Sequence, residues 1–103
     1  MSTPEGKTKA AIVKWLKARG IWYFMPVSNG MGRHGIPDFI CCWGGKFLAI
    51  EAKAAGKRAN TSALQEREIE AIRSARGWAV VIDDVSQLDE YFKEFENAQV
   101  FPA

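Results

Sequence analysis

The chain has 103 residues, 48% of them apolar and 25% charged, with a net charge of +2. That length allows one small domain, and that composition is ordinary for a globular protein. No run approaches the roughly 18 apolar residues a membrane helix needs, and the start, Met-Ser-Thr-Pro-Glu, has no basic segment leading into an apolar one. A cytoplasmic protein is expected.

Charge is segregated. Up to Arg58 there are ten Lys or Arg and three acids, Glu5, Asp38 and Glu51; from Ala59 on there are four basic residues and nine acids. A basic region broken only by a few carboxylates suits a polyanion held beside a bound cation. The two cysteines, Cys41 and Cys42, are adjacent. On a strand they point to opposite faces, which excludes a shared metal site and leaves them as small buried residues.

In chain order, Ser2-Thr3-Pro4-Glu5 opens a helix with a hydroxyl cap, a proline in the first turn and Glu5 three residues after Ser2. Thr8, Ile12, Trp15 and Leu16 recur at helical spacing, and Gly20 stops the helix. Lys7, Lys9, Lys14, Lys17 and Arg19 fill the other faces, a charged exterior or a phosphate-contacting one. Residues 21–27 form a strand in which Pro26 implies an edge position or a strand end. Residues 28–35 form a loop with three glycines, without the pattern of a nucleotide-binding loop. Arg33 and His34 at its end are candidate contacts to backbone phosphate, while for His34 a plain solvated histidine is the competing reading.

Next come two apolar runs, Phe39 to Trp43 and Lys46 to Ala52, around Gly44-Gly45, the signature of a β-hairpin with a two-residue turn. If Trp43 pairs with Lys46, counting outward sets Asp38 opposite Glu51, and strand alternation returns Lys53 to the same face. Opposed carboxylates are destabilising unless a shared proton or a divalent cation compensates them. A polar loop bearing Lys57 and Arg58 follows. Thr61 or Ser62 caps a second helix with an inward stripe of Leu64, Ile69 and Ile72, with Glu66, Arg67, Glu68 and Glu70 outside and Gly77 as its stop. Gln65 stands three residues past Ser62, as a capping-box partner would. Residues 78–82 read as a strand covered on both faces, 86–95 as a last helix, and the end of the chain as a loose tail. The order α-β-β-β-α-β-α implies an α/β fold, a mixed sheet flanked by helices, in one domain over residues 1–97 with 98–103 outside it.

Pro37-Asp38 followed by Glu51-Ala52-Lys53 resembles the PD-(D/E)xK nuclease superfamily. With Gly35-Ile36-Pro37-Asp38-Phe39, Gln65 and Glu5, the chain is similar to the VRR-NUC family, in particular its small stand-alone, virus-type members. The resemblance runs from Glu5 to about Asp84. It implies a restriction-endonuclease-like core and a metal-dependent DNA endonuclease, with Mg²⁺ or Mn²⁺ held by Asp38, Glu51, the backbone carbonyl of Ala52 and Glu5. Lys53 would attend the water or the phosphate, and Gln65 would orient one of them. Lys9, Arg33, His34, Lys57 and Arg58 are the expected DNA contacts. The resemblance also implies a homodimer cutting four-way DNA junctions. The alternatives are a flap- or duplex-directed nuclease, or a nucleic-acid-binding module that keeps the fold without cleavage. For Glu5 a helix-capping carboxylate remains the other reading, as the capping box does for Gln65.

Overall fold

A computed structural model describes residues 3–27 and 33–98. The elements are α1 (Pro4–Ala18), β1 (Trp22–Phe24), β2 (Phe39–Trp43), β3 (Lys46–Ala52), α2 (Ala63–Ser74), β4 (Trp78–Ile82) and α3 (Ser86–Ala98). The expected order is present throughout. Residues 28–32 of the glycine-containing loop, the Ser2 cap and the tail beyond Ala98 lie outside the described residues. Among those described, no helix is long and apolar enough to cross a membrane.

The four strands form one mixed sheet in sequence order, β1 and β2 antiparallel, β2 and β3 antiparallel, β3 and β4 parallel. Trp43 pairs with Lys46 and Phe39 with Ile50, so the register counted from the glycine pair is the one found. The turn is fixed by Gly44 (φ 58°) and Gly45 (φ 82°), two successive left-handed residues as a type I′ hairpin requires.

Helices α1 and α3 cover one face of the sheet. There Ile12 and Leu16 of α1 and Leu88 of α3 close over Phe39, Cys41, Leu48, Ile50, Val80 and Ile82. The other face has a smaller core, Ala49 and Ala79 under Ile69 of α2, with Ile40, Ile72 and Val81 at its border. The result is three layers with α2 alone on the second face. It covers the β3–β4 half and leaves the β1–β2 half open, where Trp22 is 59% and Phe24 47% exposed.

Several expectations are corrected. The first strand ends at Phe24 instead of reaching Val27, although β1 is an edge strand as Pro26 implied. Cys41 is buried but Cys42 is exposed, because it faces the open half of the second face. Thr3 is the N-cap of α1, accepting from the Gly6 N–H at 2.9 Å, so Glu5 falls at the second helical position and is no capping-box partner. In α2 the inward stripe is Gln65, Glu68, Ile69 and Ile72: Leu64 is exposed and Glu68 buried. Apolarity marked Leu64 for the inside, but the buried spacing starts one residue later, and its first two positions meet polar partners. Arg76, not Gly77, takes the left-handed position after α2 (φ 74°), and the Gly77 N–H bonds back to Ile72 O at 2.9 Å. Finally, α3 runs to Ala98 instead of ending near Phe95.

Candidate active site

The hairpin register places Asp38, just ahead of β2, across from Glu51 of β3. The Ala52 N–H donates to Asp38 Oδ2 at 2.9 Å, which locks this carboxylate at the end of the ladder. Backbone N–H and C=O of one strand residue leave toward the same edge, so the Ala52 carbonyl faces the Asp38 side as well. Glu51 is only 3% exposed. Burial, the negative charge of Asp38 and a hydrogen bond between the two carboxyls push its pKa from 4.5 up to about 7, against the opposing pull of Lys53.

Lys53 is itself buried, its Nζ 3.6 Å from Glu51 Oε2. It donates to Gln65 Oε1 at 2.8 Å, and Gln65 Nε2 donates to Glu51 Oε2 at 3.0 Å. Gln65 thus clamps the ammonium and the carboxylate at once. It also completes the capping box of α2: its N–H donates to Ser62 Oγ at 3.1 Å, and Ser62 N–H donates to Gln65 Oε1 at 3.0 Å. The two readings of Gln65 are therefore one arrangement. The cap fixes its backbone and aims its side chain into the site.

Lys9 of α1 reaches in from the first face, Nζ 3.4 Å from Asp38 Oδ1 and 3.4 Å from Glu5 Oε2. Partial burial opposes its charge, but Asp38 and Glu5 outweigh that and raise its pKa. Glu5 is joined to the carboxylate pair through Lys9. Among the described residues no group of three or more His, Cys, Asp or Glu side chains is set to hold a metal. The available donors are the two facing carboxylates and the Ala52 carbonyl, a hard-oxygen set with Lys9 supplying the positive charge beside it. Such oxygen donors fit Mg²⁺ or Mn²⁺. The electrostatics also fit, since the carboxyl of Glu51 is held against its own charge.

The other expected residues are less central. Arg33 Nε donates to Glu68 Oε2 at 3.1 Å on the flank of α2, and His34 and Lys57 are exposed. Arg58 is bound at the outer edge of β4, to Val81 O at 3.0 Å and Tyr91 OH at 2.7 Å. Gly35 has a steric role: at φ 82°, a Cβ there would lie 2.5 Å from Leu64 O, so the segment entering Asp38 rests directly on the first turn of α2. Sequence reasoning missed Lys9 as the Asp38 partner and Glu68 altogether. The one available signal for Glu68 was its position three residues after Gln65, on the same helical stripe.

Comparison with known proteins adds no relative. No family profile, curated protein or solved structure matches this chain.

Proposed function

We propose that this chain is a metal-dependent endodeoxyribonuclease of the PD-(D/E)xK type, with a restriction-endonuclease-like core, acting as a homodimer on branched DNA such as four-way junctions. The observation that carries the reading is the buried Glu51 carboxyl opposed by the half-buried Asp38, with Lys53 and Gln65 beside them. Mg²⁺ or Mn²⁺ would be held by Asp38, Glu51 and the Ala52 carbonyl, with Glu5 within reach of the same cluster once Lys9 swings aside. Bound there, such an ion acidifies a water and neutralises charge growing on a phosphate.

The chain's own groups supply the rest. Lys53, held by Gln65 and Glu51, keeps an N–H available to position a water or offset charge on a phosphate oxygen. Gln65 keeps that ammonium from drifting into a plain ion pair. Lys9 and Arg33, with Lys57 and Arg58 farther along the chain, supply cations for the backbone of a polyanion, and the exposed His34 imidazole stands next to Arg33 as a further contact.

Dimerisation is supported by the open half of the second sheet face. Trp22, Phe24, Met25, Val27 and Phe47 are all exposed there or at the β1 edge. Together they offer on the order of 500 Å² of apolar surface, against about 800 Å² per partner in a standard interface. A second copy packed over this patch about a two-fold axis would place the two sites symmetrically, which matches paired cuts in a two-fold junction.

The test is nicking of a substrate panel (four-way junction, flap, splayed arm, duplex, single strand) with Mg²⁺ or Mn²⁺, by the wild type and by Lys53→Ala. Metal-dependent cleavage lowered by a factor of about 10² or more in the variant is expected. Equal activity, or none in either, defeats the assignment, and binding of DNA without cleavage selects the non-cleaving module.

A further inference from the structure

Among the described residues Glu68 is the one buried acid outside the candidate site, 7% exposed, and sequence patterning had placed it in solvent. Its carboxylate accepts from Arg33 Nε at 3.1 Å. The Arg33 side chain is 71% exposed, and among the described residues neither of its Nη groups has a hydrogen-bonding partner. The acid is therefore inside and the guanidinium outside, tied by a single N–H. A burial of this kind is costly unless the pair is kept for something.

The surroundings say what. Arg33 starts the segment that leads through Gly35, packed on Leu64 of α2, to Asp38. Glu68 lies three residues after Gln65, one helical turn or roughly 5 Å along the same face of α2 from the side chain that clamps Lys53 and Glu51. A guanidinium fixed there through Nε turns its two Nη groups outward, the edge that makes paired hydrogen bonds to a phosphate. Phosphates of one strand recur about every 3.4 Å along a duplex axis, so groups one helical turn apart on the same face of α2 lie on the scale of neighbouring phosphates.

We propose that Glu68 is a positioning residue: it holds Arg33 so that its Nη groups grip a phosphodiester next to the one at the Asp38–Glu51 centre. The inference rests on the DNA-cleaving reading above and adds an adjacent phosphate subsite to it. It also predicts a sign that simple electrostatics does not. Removing an acid from a polyanion-binding surface ordinarily tightens binding, whereas here the loss of Glu68 frees Arg33 and weakens it.

The experiment is fluorescence anisotropy of a labelled DNA junction in chelator, so that no cleavage occurs, across a salt series. It uses wild type, Arg33→Ala, Glu68→Ala, Glu68→Gln and the Arg33→Ala/Glu68→Ala pair, with thermal unfolding of each. Loss of one phosphate contact should lower the slope of log K against log salt by about 0.9, which is about eightfold in affinity at 0.1 M relative to 1 M. Arg33→Ala should show that loss in full. Glu68→Ala should weaken binding at least about threefold, and the pair should be no weaker than Arg33→Ala alone. Glu68→Gln keeps an acceptor for Nε and should recover part of the loss, and it remains informative if Glu68→Ala does not fold. Glu68 variants that melt earlier yet bind as the wild type does, with its salt slope or tighter, overturn the inference and leave the nuclease reading standing. Additive losses in the double variant overturn it too. A wild type that does not bind DNA overturns both.

Discussion

Glu51→Gln tests the electrostatic core of the site without needing a substrate. In the folded chain the Glu51 carboxyl sits at about 7 instead of 4.5, through burial first and Asp38 second. Each tenfold change in proton affinity is worth 1.36 kcal/mol, so the ionised group is carried at a cost of about 3 kcal/mol at pH 8. The sign follows from which state holds the proton more tightly. Here it is the folded one, so the contribution is fully present below about pH 4.5, drains away as pH rises toward 7, and stays lost above. Gln at this position is neutral at every pH. Its carbonyl can still accept from Gln65 Nε2 and its amide can donate to Asp38. Lys53 at 3.6 Å already offsets part of the burial cost in the wild type, so its loss is contained in that figure. At pH 8 with chelator the variant should therefore be about 2–3 kcal/mol more stable than the wild type, a rise of about 8–24 °C in Tm for a chain of this size. At pH 5 both folded side chains are neutral and the two proteins should melt within a few degrees of each other. Added Mn²⁺ should raise the Tm of the wild type and not that of the variant. Thermal unfolding by circular dichroism at pH 5, 6, 7 and 8 reads all of this. Parallel pH profiles, or a variant less stable than the wild type at pH 8, would refute the claim that Glu51 is held against its charge.

Three further outcomes follow from the fold. Gly35→Ala places a Cβ against the Leu64 carbonyl in a backbone conformation that disfavours it, so it should cost about 2–4 kcal/mol in urea unfolding and lower metal affinity by displacing Asp38. Arg76→Gly relieves the only non-glycine residue with positive φ among those described and should stabilise the chain by about 0.5–1 kcal/mol, with no effect on DNA binding. Trp22→Ala/Phe24→Ala should halve the mass seen by light scattering at micromolar concentration while the monomer keeps its Tm within a few degrees. A wild type that is already monomeric would remove the dimer and junction resolution, though not hydrolysis.

The hairpin was legible because its information is local. Two glycines set the turn, the turn sets the register, and the register alone sets Asp38 against Glu51 and returns Lys53 to the same side. Gln65 was legible for a related reason, since a capping box is a four-residue pattern, and this cap happens to deliver the side chain into the site. Leu64 and Glu68 were misplaced because helical phase depends on where the sheet lies under α2. Apolarity votes for Leu64, but the stripe that meets the sheet starts at Gln65, and Glu68 is admitted to the interior by Arg33, 35 residues away in sequence. Cys42 went the same way: alternation fixes which face it takes, and nothing local says that α2 leaves that half of the face uncovered.

Sequence by itself determined the order of elements, the turn, and the facing carboxylates with their lysine, all of which follow from backbone periods of two and 3.6 residues. Only the tertiary structure decided that Glu51 is buried deeply enough to resist ionisation, that Lys9 crosses from another layer to meet Asp38, and that Glu68 holds Arg33. Those depend on how layers stack and how much water they exclude, and burial, unlike periodicity, is a property of the whole chain at once.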